Sequence, residues 1–270
     1  MTCIVIPVFN AAAALSACLR ALRRSIPEGT AVLLVDDAST DPSVADLLAE
    51  HVALRPCSTL LRNTVNLGFV GSVNRAFAAC ADDVLLLNSD TLPTTGFLAA
   101  MEACAAADPA IASVTPFSNN AEICSFPRFC AANPVPEDTD RMAAAFGLET
   151  SVPVVVPTAV GFCMWMRRAA IEAVGDFDAA TFGRGYGEEN DWCMRATAHG
   201  WRHVVCPSAY VAHVGHASFS ATGERPGGEN LARLVARYPR YNALVADFIG
   251  RDPLAEIRAR VAARLGAATA

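Results

Sequence analysis

The chain has 270 residues, a formal net charge of -6, 53% hydrophobic residues and 18% charged residues. It is long enough to bury a core without disulfide or metal staples, and this composition excludes a disordered chain and a coiled coil. The acidic balance argues against a nucleic-acid partner, which needs a basic face, yet permits a nucleotide held by backbone amides or a cation.

In chain order, Cys3 to Val8 predicts a buried strand, and Ala11 to Arg24 a helix with Leu15, Leu19 and Leu22 on one face. Strands follow over Ala31–Val35 and Ser58–Arg62, then a helix over Val70–Cys80, a strand over Val84–Leu87, a helix over Phe97–Ala106 and a strand over Ile111–Val114. Repeated units of this kind predict an α/β fold with a parallel sheet and crossover helices. Residues 116–140 carry Pro, Asn and Phe with weak periodicity and read as an irregular excursion over the sheet. Strand character resumes over Val154–Met166. The longest apolar run, Val152 to Met166, is broken by Pro153, Pro157, Thr158 and Gly161, so it cannot cross ~30 Å of hydrocarbon despite a mean hydropathy of +0.31. A short helix is expected over Arg168–Val174, and a helix over Glu188–His199 whose acidic start suits the positive end of its dipole. Short strands over Val204–Cys206 and Tyr210–His213 precede a terminal packing helix from Pro253 to about Leu265. No signal peptide is expected, and ten scattered cysteines without a CxxC pair point to a reduced, cytoplasmic protein.

Four polar features stand at strand ends or helix starts. Asp36-Asp37 follows the second strand, where ligands of open α/β sheets bind, although Asp36 to Asp41 is also good turn and N-cap chemistry. Asn88-Ser89-Asp90 follows an apolar strand and offers oxygens to a hard divalent cation, or simply ends the strand in a turn. Glu188-Glu189-Asn190-Asp191 follows the glycine-rich Phe182 to Gly187; it is a solvated helix start unless the glycines make room for a ligand. His213 and His216 have a spacing that suits metal ligands, while His51, His199 and His203 have no such context.

In order and spacing, these strings resemble the family 2 glycosyltransferases, which have the GT-A fold. The resemblance runs from Ile4-Val-Ile-Pro-Val-Phe-Asn10 through Leu34-Val-Asp-Asp-Ala-Ser-Thr-Asp41, Asn66-Leu-Gly-Phe69 with Asn74, and Leu87-Asn-Ser-Asp90. It continues through Gly161-Phe-Cys-Met164, Gly175-Asp-Phe-Asp178, the segment Phe182 to Arg195 and the segment around His213. It implies an αβα sandwich with a mainly parallel central sheet and a smaller acceptor-side subregion. The implied domain is 1–220, with a nucleotide-binding half (1–115) and an acceptor and catalytic half (116–220), followed by a helical extension (221–270) packed on it.

The resemblance further implies an inverting transferase that uses a UDP-, dTDP- or GDP-sugar donor, a glycan or lipid-linked acceptor, and Mg²⁺ or Mn²⁺. Pro7, Phe9, Asn10, Asp37, Asn66, Gly68, Asn74, Asn88, Ser89 and Asp90 then fall on the donor side. Asp90 and His213 match metal ligands. Gly161, Tyr186 and Asp191 fall on the acceptor side, with Asn119, Asn120 and Phe129 of the middle region shaping it. Glu189 matches the carboxylate that acts as general base, with Glu188 orienting the acceptor. Asn88 stands where the family has an Asp, which leaves more of the metal to Asp90 and His213. Surface polysaccharide assembly is the implied setting, with peripheral membrane association if the acceptor is lipid-linked. The contrasting possibility is a non-catalytic relative that only binds sugar nucleotides or serves as a scaffold.

Overall fold

In a computed structural model that describes residues 1–150, 152–183, 185–215 and 228–267, a nine-stranded sheet runs through the centre of the protein. The strands are β1 (Thr2–Val8), β2 (Ala31–Asp36), β3 (Ser58–Arg62), β4 (Asp83–Leu87), β5 (Thr91–Pro93), β6 (Ile111–Phe117), β7 (Val154–Val156), β8 (Cys163–Met166) and β9 (Arg202–His213). Their order is β3-β2-β1-β4-β8-β6-β9-β5, and β7 also pairs with β9. β1 runs parallel to β2 and β4, β2 parallel to β3, and β6 parallel to β9. β8 lies antiparallel between β4 and β6, and β5 and β7 are antiparallel to β9.

Alternation along the strands gives the sheet two apolar faces. Ile4, Ile6 and Val8 enter one core, and Cys3 and Val5 the other. The first core is covered by α1 (Ala12–Ser25), α2 (Pro42–Leu54), α4 (Phe97–Ala106), α5 (Thr139–Gly147) and α11 (Ala255–Ala267), through side chains such as Leu19, Leu48, Met101, Phe146 and Val261. The second is covered by α3 (Gly68–Ala79), α6 (Arg168–Val174) and α8 (Glu188–Ala198), through Phe77, Ile171 and Trp192. A small third cluster joins Phe182 of α7 (Ala179–Phe182), Leu234 of α9 (Glu229–Arg237) and Tyr241 of α10 (Tyr241–Arg251). Because β1, β2 and β4 are parallel, the chain leaves all three at one edge, at Phe9, Asp37 and Asn88.

The elements over Ser58–Arg62, Phe97–Ala106 and Arg168–Val174 coincide with those expected. The stretch Val154–Met166 is instead two strands separated by residues 157–162, where Pro157, Thr158 and Gly161 lie. The two short strands expected after residue 203 are one, β9, with a register shift against β6 between Pro116 and Phe117. Helix α2 was not expected, yet Asp41 accepts a hydrogen bond from Ser43 N–H at 2.9 Å as N-cap, Pro42 opens the helix, and Val44 and Leu48 are buried. Helix α5, not expected either, begins at Thr139, where the middle excursion ends. The last helix begins at Ala255 rather than Pro253, because Asp252, in a left-handed conformation, closes α10 just before it. Among the described residues no helix is long and apolar enough to cross a membrane, and all ten cysteines are free.

Two buried histidines tie stability to pH. Burial, reinforced by Arg23 and Arg55, pushes His51 down to about 4, and burial does the same to His203, whose ring sits between Ser113 Oγ and the Cys193 carbonyl. The unfolded chain takes up these protons near pH 6.5 and the folded chain only near 4. Their contribution is therefore complete above 6.5 and lost as pH falls through that window. Glu188 and Glu189, whose carboxyls are raised, act in the opposite direction. Both His51 nitrogens lack a hydrogen-bond partner among the described residues, so His51→Leu removes no bond seen there. It should leave the pH 7 melting temperature unchanged or higher and should reduce the loss between pH 6.5 and 4. An unaltered pH slope in thermal melts of His51→Leu would contradict this account.

Candidate active site

The loops leaving β1, β2 and β4 form one wall of a cleft, and the start of α8 with the segment before β8 forms the other. Pro7, Phe9, Asp37, Asn66, Gly68, Asn88, Ser89 and Asp90 line it together with Gly161, Tyr186, Glu188, Glu189 and His213. Residues spread over more than 200 positions of sequence thus meet in one concavity. Glu122, Asn120, Phe162 and Gly215 line it as well.

The Asp36-Asp37 pair divides its duties. Asp36 closes a turn by accepting the Ser39 N–H at 3.0 Å. Asp37 is buried at the cleft floor and accepts from Asn63 Nδ2 (2.7 Å), Leu67 N–H (2.7 Å) and Gly68 N–H (2.9 Å). Its carboxylate thereby holds the start of α3, where Gly68 takes a φ of 74°. Oδ1 receives two of these bonds and Oδ2 one, so with two lone pairs per oxygen Oδ2 keeps one acceptor site.

Asn88 anchors the next loop. Its N–H donates to the Phe162 carbonyl at 2.8 Å, and its own carbonyl accepts from Thr91 Oγ1 at 2.8 Å. Its side-chain oxygen is buried in the cleft wall with no partner among the described residues. Across β5, Thr91 pairs with His213, which brings the imidazole Nε2 to 3.4 Å from Asp90 Oδ1. The Asn120 carbonyl lies 2.8 Å from His213 Nδ1. A carbonyl only accepts, so Nδ1 carries the hydrogen and the neutral ring leaves a lone pair on Nε2. A lone pair facing a carboxylate at this distance is repulsive unless a proton or cation lies between them. Phe162 stacks on the same ring at 5.1 Å, and Asn119 holds the His213 backbone through both its N–H (2.8 Å) and its carbonyl (2.9 Å).

On the facing wall, α8 starts with Glu188 and Glu189 directly after Gly187. Glu188 is buried, and its Oε2 has no partner among the described residues. Burial, with repulsion from Glu189, holds its carboxyl well above the usual range. Glu189 is half-buried, accepts the Gly187 N–H at 3.2 Å, and is pushed up to about 7, mainly by burial with repulsion from Glu122 added. Gly161 faces it, since a Cβ there would lie 3.6 Å from the Glu189 side chain.

Three expected site residues lie outside the cleft lining. Asn10 staples the first two loops, its Oδ1 accepting from Thr40 N–H (2.9 Å) and Asp41 N–H (3.1 Å). Asn74 clamps the Phe177 backbone through its Nδ2 (2.8 Å) and Oδ1 (3.1 Å). Asp191 is wholly buried beneath α8, bound to Arg195, Arg237 and Tyr238. Phe129 is also elsewhere, under the Arg258 guanidinium at 4.3 Å. His216 lies outside the described residues. Glu122, by contrast, enters the cleft from a single 3-10 turn (Glu122–Cys124) with a φ of 46°. It comes from the excursion whose weak periodicity gave no sign of it.

The family model for glycosyl transferase family 2 matches residues 3–175, more than half of the chain. The chain belongs to this family. Its fold is that of GT-A glycosyltransferases. A structure of GalNAc-T7 with UDP, GalNAc and Mn²⁺ superposes with a TM-score of 0.67 at 13% identity, covering 98% of this chain and 54% of that one. Staphylococcus aureus TarS 1-349 in complex with UDP-GlcNAc gives 0.64 at 16% identity, covering 93% and 72%. The Pyrobaculum calidifontis mannosyltransferase PcManGT with GDP-Man and Mn²⁺ gives 0.58 at 16% identity, covering 99% and 74%. The chain thus spans about half the length of the first of these. No curated protein matches the chain by sequence. The family match includes the cleft-forming loops after β1, β2 and β4.

Proposed function

We propose that the protein is an inverting glycosyltransferase that moves a sugar from a nucleotide-sugar donor to a hydroxyl of a glycan, lipid-linked or other acceptor. The observation that carries this reading is the convergence of Asp37, Asp90, His213, Glu188 and Glu189 on one cleft. The nucleoside lies along the loops after β1 and β2, where Asp37 Oδ2 accepts one hydrogen bond from it. The diphosphate faces Asn88-Ser89-Asp90.

The residues present suit a divalent cation. Asp90, His213 Nε2 and the orphaned Asn88 Oδ1 offer a carboxylate, an imidazole and an amide oxygen. An ion of the Mg²⁺ type takes one or two carboxylates and relies on substrate phosphates for the rest. When bound, such an ion neutralises charge that develops on the departing nucleoside diphosphate.

Glu189 is the base that removes the acceptor proton as the hydroxyl attacks the anomeric carbon from the side opposite the diphosphate. A carboxyl poised near 7 is half deprotonated at neutral pH, where a base is most effective. Glu188, whose carboxyl is raised by burial and by repulsion from Glu189, stands beside it on the same turn. A scaffold that only bound sugar nucleotides would have no use for this arrangement.

A thermal-shift screen against UDP-, dTDP- and GDP-sugars, with and without Mn²⁺, tests the reading. One nucleotide class should raise the melting temperature, and more so with Mn²⁺, since a ligand at 100 times its Kd adds about 2.7 kcal/mol. No shift with any of them at millimolar concentration overturns donor binding.

A further inference from the structure

The turn that delivers Tyr186, Glu188 and Glu189 has few bonds of its own: the Gly185 N–H donates to the Phe182 carbonyl at 3.2 Å and the Gly187 N–H to Glu189 at 3.2 Å. Gly183, Gly185, Tyr186 and Gly187 all take positive φ (56°, 139°, 67° and 103°), and α8 has no side-chain cap at Gly187. Glycine adopts such conformations freely, but Tyr186 does not, and its conformation persists only where the surrounding structure fixes it. Further contacts come from α9, which lies beyond the residues matched by the family model.

One face of α9 is spent on the turn and its flanks. Asn230 Nδ2 donates to the carbonyls of Phe182 (2.9 Å) and Gly185 (2.8 Å). Arg233 donates to the Thr181 carbonyl at 2.8 Å. Arg237 reaches Asp191 Oδ1 (2.7 Å) and Asp178 Oδ2 (2.9 Å) with Nη1 and Thr181 Oγ1 (2.9 Å) with Nη2, and the Tyr238 hydroxyl donates to Asp191 at 2.9 Å. Asp191 stands one helical turn after Gly187 and is wholly buried, so its charge depends on these donors and on Arg195. Leu234 seals the contact against Phe182.

We propose that Asn230 and Arg237 are positioning residues for the transfer reaction: α9 clasps the glycine-rich turn and so fixes Glu189 against the acceptor hydroxyl. This rests on the assignment of Glu189 as base. A displacement of about 1 Å in a reacting group is enough to lower turnover on the order of 10²-fold. Donor binding, which uses the opposite wall, should be untouched. Removing Arg237 also leaves Asp191 less compensated beside Glu188 and Glu189, so the pH at which the base deprotonates should rise.

The test uses the full chain with Mn²⁺ and follows nucleoside diphosphate released from UDP-GlcNAc or GDP-Man, whichever stabilises the protein, with water as acceptor. Arg237→Ala should lower kcat on the order of 10²-fold, leave the donor KM within about twofold, and move the acid limb of the pH–kcat profile upward. Arg237→Lys keeps the charge but cannot bridge both aspartates, and should restore the limb's position but only part of kcat. Asn230→Ala removes two hydrogen bonds at a partly exposed site and serves as a second variant should Arg237→Ala fold poorly. It should lower kcat with an unmoved limb. Unchanged kcat in Asn230→Ala, or an Arg237→Ala whose turnover per folded molecule and pH limb match the wild type, overturns the clasp. Glu189→Gln measured alongside keeps the two ideas apart. Full turnover there overturns the base assignment, whereas its loss beside unaffected clasp variants overturns the clasp alone.

Discussion

Glu189→Gln is expected to reduce sugar transfer on the order of 10²–10⁴-fold, the range lost when a positioned general base is removed. The amide is nearly isosteric and can still accept the Gly187 N–H, so the turn and the donor wall should keep their shape. Donor binding followed by thermal shift or calorimetry should therefore persist. The wild-type rate should rise with pH and reach half its plateau at about 7, where the Glu189 carboxyl loses its proton. In the variant that limb should vanish. Transfer within a few-fold of the wild type would move the base to Glu188, the other cleft carboxyl on the same turn.

Asp90→Ala should act on the opposite wall. It removes the carboxylate that faces His213 Nε2 at 3.4 Å. What remains is a neutral imidazole and an amide oxygen, a weak pair for a hard cation. The rate at saturating donor should fall on the order of 10²–10³-fold, the loss usual when one group that stabilises developing negative charge is deleted. The Mn²⁺-dependent part of the donor's thermal shift should disappear as well, a readout independent of turnover. Equal stabilisation by donor with Mn²⁺ and in excess EDTA, already in the wild type, would remove the cation from the reaction.

Much of the cleft lining was legible because parallel strands in an α/β sheet release their loops at one edge. Asp37, Asn88 and Asp90 each follow an apolar strand run, and Glu188-Glu189 open a helix behind a glycine cluster. What stayed hidden depends on contacts distant in sequence. Asn10, Asn74 and Asp191 belong to the right strings, yet their side chains are turned to Thr40, Phe177 and Arg237, and no spacing reveals such partners. Glu122 enters the cleft by a single 3-10 turn, too short to leave a periodic trace. Helix α2 is different. Asp41-Pro42-Ser43 is a helix start, and Val44 and Leu48 recur at helical spacing, so the pattern was present in plain view.

The strand β8 also bears on any attempt to divide the protein. It comes from the second half of the chain, yet it pairs with β4 on one side and β6 on the other. A fragment ending near residue 115 would lose it together with β9, leaving β4 as an open edge and the remnant of β6 with no neighbour. Exposed apolar edges of this kind recruit other chains, so such a truncation should aggregate on expression. Split-reporter or domain-swapping designs in this scaffold would do better to cut within surface loops and to keep both halves present during folding.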